Sequence, residues 1–214
     1  MIAIGGRKDL DPRVVSSMYE FRHETFVRRL HWSLPLFEGL EQDQYDSDAA
    51  VYFVVHDVHE NVTACARLLP TTAPYMLPDL FAELLGGRLP PRDTATWELS
   101  RFATSVRRSR AGRVLSLSQP TLNLLDVILR FARDNAVERL VLVTSIALER
   151  LLLRTALDVH RLAAPARMPD GLIVALLIEV PRWSFANPAD AVATRDAARR
   201  IEAVYARECF GKFS

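Results

Sequence analysis

Apolar and polar positions alternate or recur in a sequence of short elements along the chain. Residues Met1–Gly5 read as an edge strand. From Asp11-Pro12 to Leu30 the apolar residues recur at helical spacing, with Asp as N-cap and Pro at the first helical position. Residues Ser33–Asp48 carry Pro, Gly and acids with no usable period, which predicts a loop. Val51–His56 and Val62–Leu69 are apolar runs on either side of Asp57–Asn61, the pattern of a β-hairpin. Pro70–Pro78 is a turn region, followed by a short helix over Asp79–Leu85 that ends at Gly86-Gly87. Thr94–Thr104 is strand-like. Ser118–Arg133 is an amphipathic helix, Leu140–Thr144 a buried strand, Ile146–Leu157 a helix and Leu172–Val180 a strand stopped by Pro181. A last, peripheral helix is expected over Ala189–Cys209, with Arg195, Arg199, Arg200 and Arg207 in it.

No repeat and no linker divides the chain, so strands and helices mixed around one core predict a single α/β sandwich domain. The late strand–helix–strand run from Leu140 to Val180 reads as a crossover unit with parallel pairing.

Composition narrows the function. The 214 residues are 50% hydrophobic and carry 27 Lys+Arg against 26 Asp+Glu, a net charge of +1. A globular core is therefore expected, and nothing supplies the broad basic field of a nucleic-acid binder. Cys65 and Cys209 match no metal or disulfide spacing and read as reduced thiols of a cytoplasmic protein. No signal peptide is expected at the start, and the longest apolar run, Leu172 to Ile178, is too short to span a bilayer.

Charges that interrupt apolar rows are the informative residues. Arg22 shares a helix face with Met18 and Phe26, so it needs a carboxylate or must reach the surface. Arg67 shares a strand face with Cys65 and Thr63, while Val62, Ala64, Ala66 and Leu68 line the other; its guanidinium needs a polar cleft or an acid. Glu98 and Arg101 fall on opposite faces of a regular strand, and serve one site only if a bulge intervenes. Glu38, Glu41, Asp43, Asp46 and Asp48 form an acidic stretch with three readings: a solvated loop, a calcium loop lacking the EF-hand glycine and terminal glutamate, or a pocket for an organic cation. No G-x-S-x-G surrounds Ser100, no Walker or dinucleotide-binding glycine pattern is present, and His56 and His59 stand alone on the hairpin turn. Metal catalysis and a serine triad are both unsupported.

The same positions carry a resemblance. Arg22-x3-Phe26-x5-Trp32, Glu41-x-Asp43-x-Tyr45-Asp46, Arg67 within Cys-Ala-Arg-Leu-Leu, and Glu98-x-Ser100-Arg101-Phe102 resemble, in order and spacing, the acyl-homoserine-lactone (autoinducer) synthases of bacterial quorum sensing. That family's invariant Arg, Phe, Trp, Asp, Asp, Arg, Glu and Arg fall on Arg22, Phe26, Trp32, Asp43, Asp46, Arg67, Glu98 and Arg101. The resemblance covers roughly the first half of the chain.

It implies a GCN-type N-acetyltransferase-like fold, with a twisted, mostly antiparallel sheet splayed in the middle and helices on both sides. It implies two substrates, S-adenosyl-L-methionine and an acyl group on acyl carrier protein or coenzyme A, with no separate cofactor or metal. Residues 1–104 would form the S-adenosylmethionine side, using Arg22, Phe26, Trp32, Asp43, Asp46 and Arg67. Glu98 would be the base, with Ser100 and Arg101 beside it. Residues 105–214 would hold the acyl chain, with Leu122, Leu125, Leu140, Leu142, Thr144, Leu148 and Leu152 as its wall, or as ordinary core. Leu142, or Thr144 two residues on, takes the place where some members carry a hydroxyl for a 3-oxo group; with Leu142 there, an unsubstituted medium chain is expected. Arg107, Arg108, Arg110, Arg113, Arg150, Arg154 and Arg161 would face the carrier or simply solvent. Two rival readings stay open: a plain N-acyltransferase using acetyl-CoA, for which only Arg110-Ala-Gly-Arg113 hints at a pyrophosphate loop, and a non-catalytic ligand-binding module.

Overall fold

The computed structural model describes residues 1–105, 117–168 and 171–182. The expected C-terminal helix and the Arg107–Arg113 connection lie outside them. Strand β1 (Ile2–Gly5) leads to helix α1 (Pro12–Arg22), which Asp11 caps by accepting from the Arg13 amide. The expected helix to Leu30 changes character after Arg22: residues His23–Arg29 form a π-helical segment, in which the Leu30 amide donates to the Thr25 carbonyl. Such wide turns recur at functional sites, and here one carries Phe26. Within the stretch expected to be a loop, β2 (Leu36–Phe37) and β3 (Leu40–Glu41) form a small hairpin whose turn, Glu38-Gly39, has positive φ at both residues.

The hairpin of β4 (Val51–His56) and β5 (Val62–Pro70) is as expected. A short helix, α2 (Met76–Leu80), begins inside the predicted turn region, and a 3-10 turn over Ala82–Leu85 ends at Gly86 with φ +59°. Then come β6 (Thr96–Thr104), α3 (Gln119–Asp134), β7 (Arg139–Ser145), α4 (Ile146–Leu152), β8 (Asp158–Arg161), β9 (Ala166–Met168) and β10 (Gly171–Glu179). Helix α4 is shorter than the Ile146–Leu157 expected.

The main sheet has the order β1-β4-β5-β6-β7-β10-β8, with β9 also on β10. The expected parallel crossover from Leu140 to Val180 is corrected by the pairing, because β7 and β10 run antiparallel along Arg139–Ser145. Both strands are apolar on both faces, a pattern that suggests parallel neighbours but does not encode direction. The parallel pair is β6 with β7, joined through α3, and among the described residues it spans only Thr96–Glu98 against Arg139–Val141. Beyond Glu98, β6 stays on β5 while β7 stays on β10, so the sheet splays between its two halves.

Each face of the sheet carries its own core. On one, Leu124, Leu125, Ile128, Leu129 and Ala132 of α3 cover Ala66, Leu68, Leu99, Leu140, Leu142, Val174 and Leu176. On the other, α1, the π-helical segment and α2 cover Tyr52, Val54, Cys65, Leu69, Ala103 and Val141. No described helix is long and apolar enough to cross a membrane.

Candidate active site

The second face holds the charges that interrupt the apolar pattern. Strand alternation puts Arg67 on this face of β5, and β6 supplies Glu98 and Ser100, while Trp97 and Leu99 point to the opposite core. Between the pairs Arg67↔Ser100 and Cys65↔Ala103, Ala66 alone faces both Arg101 and Phe102. This is the bulge that the parity of Glu98 and Arg101 required. Arg101 sits at its turning point with φ +50°, a conformation costing a non-glycine residue about 1 kcal/mol. Its guanidinium is thereby turned onto the face of Glu98, while Phe102 returns to the α3 side.

Three arginines and three acids close a ring there. Arg22 reaches Asp46 through two bonds, Nη1 to Oδ1 at 2.7 Å and Nη2 to Oδ2 at 3.0 Å. Asp46 Oδ1 also accepts from Arg67 Nη1 at 2.8 Å. Arg67 grips Asp43 through Nη1 and Nη2, at 2.6 and 3.1 Å. Asp43 Oδ2 accepts from Arg101 Nη2 at 2.6 Å. Arg101 Nε donates to Glu41 Oε1 at 3.0 Å, and the other oxygen of Glu41 accepts from Arg22 Nε, which completes the circuit. Arg22, Glu41 and Arg67 are 1%, 0% and 0% exposed.

Burying so many charges is tolerable because three positive and three negative groups cancel and the donors are forked onto acceptors. Burial alone would raise the Asp46 carboxyl, but Arg22, Arg67 and the Asp43 amide outweigh it and hold it well below the usual carboxylate range. Burial likewise pulls the Arg22 guanidinium pKa down, but Asp46 and Glu41 more than reverse this and hold it above its ordinary value. Tyr52 donates to Asp46 Oδ1 at 3.0 Å, and aromatic rings flank each guanidinium: Tyr19 by Arg22, Tyr45 by Arg67, Phe26 by Arg101. Trp32, half-buried, stacks on Phe26 at 5.2 Å between centroids.

Glu98 is a further buried carboxylate on this face. It stands at the last β6–β7 pair, where the sheet begins to splay. Its oxygens accept from the backbone amides of Met76, at 2.9 Å, and Leu77, at 2.8 Å, the first residues of α2. Burial raises its pKa to about 7, against the pull of those two amides and of Arg67 and Arg101. A carboxyl poised there can take or give a proton near neutrality. Ser100 Oγ accepts from Arg67 Nε at 3.1 Å, which leaves its hydroxyl proton available.

The residue pattern alone assigned no role to Glu41, Met76 or Tyr52. Glu41 had a signal: three arginines in apolar rows need three acids, and Asp43 and Asp46 make only two. The other loop acids turn outward, Glu38 exposed and Asp48 paired with Lys8 at 2.6 Å. Met76 and Tyr52 gave none. On the α3 side, Leu125, Leu140, Leu142 and Leu152 are buried in the apolar core and Leu148 packs against it, while Leu122 and Thr144 are half-buried. Arg150 and Arg154 are exposed at the end of α4, whereas Arg161 is forked onto the buried Glu149. Arg107, Arg108, Arg110 and Arg113 lie outside the described residues.

Residues 8–187 match the autoinducer synthase family profile. The chain belongs to that family. The acyl-homoserine-lactone synthase of Ralstonia solanacearum is 39% identical over 181 residues, 82% of this chain and 86% of the relative. The crystal structure of the AHL synthase LasI superposes with a TM-score of 0.76 at 32% identity, over 85% of this chain and 90% of LasI. The CoA-dependent acyl-homoserine lactone synthase BjaI, solved with SAM and isopentyl-CoA, superposes with a TM-score of 0.75 at 25% identity, over 95% and 99% of the two chains. The splayed, mostly antiparallel sheet with helices on both faces is thus the fold of the family, and the two rival readings fall.

Proposed function

We propose that the chain is an acyl-homoserine-lactone synthase: it acylates the amine of S-adenosylmethionine from a thioester carried by acyl carrier protein or coenzyme A, then closes the lactone and releases 5'-methylthioadenosine. The observation that carries this is Glu98, a buried carboxyl with its pKa near 7, beside a closed ring of charges at the opening of the sheet. BjaI, a chain of the same fold, binds S-adenosylmethionine and an acyl-coenzyme A together.

The residues divide the work by face. Phe26 and Trp32 give the sulfonium an aromatic wall. Asp43 and Asp46 spend their acceptors on arginines, so they act by fixing Arg22, Arg67 and Arg101 in place. Arg67 and Arg101 face the substrate carboxylate, and Ser100 is a polar neighbour. Glu98, directly or through a water, takes the proton from the ammonium so that nitrogen has a lone pair. That nitrogen attacks the thioester carbonyl, whose oxyanion is met by β6 backbone amides beyond Glu98, and the thiolate leaves, taking up the second proton that the nitrogen loses as the amide forms. The substrate carboxylate then attacks the carbon bonded to the sulfonium, and the C–S electrons depart with neutral methylthioadenosine. Holding the carboxylate in line is the main requirement, because the leaving group is already activated. Both steps balance with the two substrates alone, so no cofactor is required.

The splay leads from Glu98 to the α3 face, where Leu125, Leu140, Leu142, Thr144, Leu148, Leu152 and Leu122 would receive the acyl chain. Leu142 offers no hydroxyl, which favours a chain without a 3-oxo group. Arg150 and Arg154 would meet an acidic carrier. We read residues 1–214 as one synthase domain working in the cytoplasm, where both substrates are made.

Incubating the purified chain with S-adenosylmethionine and a panel of acyl carriers, followed by mass spectrometry, tests the proposal. An acyl-homoserine lactone with equimolar methylthioadenosine is expected. Acylation of another amine, or no product from any donor, overturns it.

A further inference from the structure

Tracing the guanidinium hydrogens around the ring exposes one unbalanced point. Arg67 Nη2 donates to the thioether of Met76 at 3.2 Å, and Arg101 Nη1 approaches the same sulfur at 3.6 Å. Among the described residues, every other acceptor of these two guanidinium groups is a carboxylate or the Ser100 hydroxyl. A thioether is a weak acceptor, and two cationic donors converging on one sulfur leave both poorly satisfied. A carboxylate at that position would satisfy them far better.

We propose that Met76 is a displaceable cap, whose sulfur holds the seat that the substrate carboxylate takes over on binding. The inference rests on the function proposed above and adds a positioning residue to it. Met76 suits the task because it touches both ends of the chemistry: its sulfur lies on Arg67 and Arg101, and its backbone amide lies on Glu98 Oε2 at 2.9 Å. In an α-amino acid the carboxylate and the amine share one carbon. A carboxylate on the two arginines therefore carries its amine toward Glu98, one residue's breadth away. The Met76 side chain is unbranched and half-buried, so it can swing aside without moving the backbone that holds Glu98.

The strength of the cap sets the cost of displacing it, and only a ligand with a carboxylate must displace it. The test is isothermal titration of the wild type, Met76→Leu and Met76→Gln with S-adenosylmethionine and with decarboxylated S-adenosylmethionine, which keeps the sulfonium and an amine. Glutamine offers an amide oxygen, a stronger acceptor than sulfur, and should weaken S-adenosylmethionine about tenfold while leaving the decarboxylated ligand within twofold. Leucine removes the acceptor at similar volume and should widen the preference for the carboxylated ligand two- to fivefold. Equal shifts for both ligands in both variants would make Met76 a passive wall and overturn the inference. A wild type that turns over S-adenosylmethionine but binds both ligands equally also overturns it, and leaves the proposed function standing. A wild type that binds neither ligand removes the proposed function and this inference with it.

Discussion

On the face of the sheet under α1, Arg67, Glu98 and Ser100 stand on the strands that present Ala66, Leu68 and Leu99 to α3 on the opposite face. The two sides are one residue apart in sequence and opposite in their response to change. The charged side is a circuit in which every group has a required partner, so removing one leaves another buried and uncompensated. The apolar side is a layer of neutral Leu, Ile, Val and Ala side chains, where a volume-conserving swap leaves no charge unpaired and a lost methylene costs only local packing. In the proposed function, a precise site for a charged substrate and an adaptable one for an alkyl chain would thus share one sheet, connected where β6 and β7 part.

The sharpest way to break this contrast is Asp46→Asn. The substitution keeps the shape but leaves Arg22 and Arg67 one negative charge short, and should destabilise the chain by about 3–5 kcal/mol in urea unfolding. A loss below about 1 kcal/mol would mean that the ring is not the closed circuit described.

Glu98 gives a smaller, pH-dependent effect. Its pKa is raised in the folded state, so the folded chain binds the proton more tightly than the unfolded one. Stability from this group is complete below its ordinary value near 4.5 and is lost as pH rises through about 7. Measured as the difference from Glu98→Gln, the wild type should lose up to about 3 kcal/mol between pH 4 and pH 8. A difference independent of pH would contradict the raised pKa.

The smallest effect belongs to the apolar face. Leu142→Val should cost about 1 kcal/mol and shift the preferred acyl chain upward in length, with S-adenosylmethionine affinity unchanged. A changed S-adenosylmethionine affinity with the same chain preference would erase the division between faces.

The same contrast explains what could be read without coordinates. Arg67 in an alternating strand and the opposite parity of Glu98 and Arg101 were visible because charge violates a period, and the violation required the bulge. The partners were less legible: Glu41, Asp43 and Asp46 come from a stretch with no period, and nothing local distinguishes Glu41 in the ring from Glu38 in solvent. Leu125 and Leu142 look alike whether they line an acyl chain or only fill a core. Strand direction was illegible too, since a strand buried on both faces, such as β10, has the same pattern in either pairing. The π-helical segment escaped because widening a turn by one residue scarcely alters the spacing of Met18, Arg22 and Phe26.

The central claim, that the charged face both holds S-adenosylmethionine and deprotonates it through Glu98, is tested most directly by separating binding from turnover in Glu98→Gln. The expected result is S-adenosylmethionine affinity within about threefold of wild type, with lactone and methylthioadenosine formation reduced at least about a hundredfold. Near-normal turnover in that variant would contradict the account.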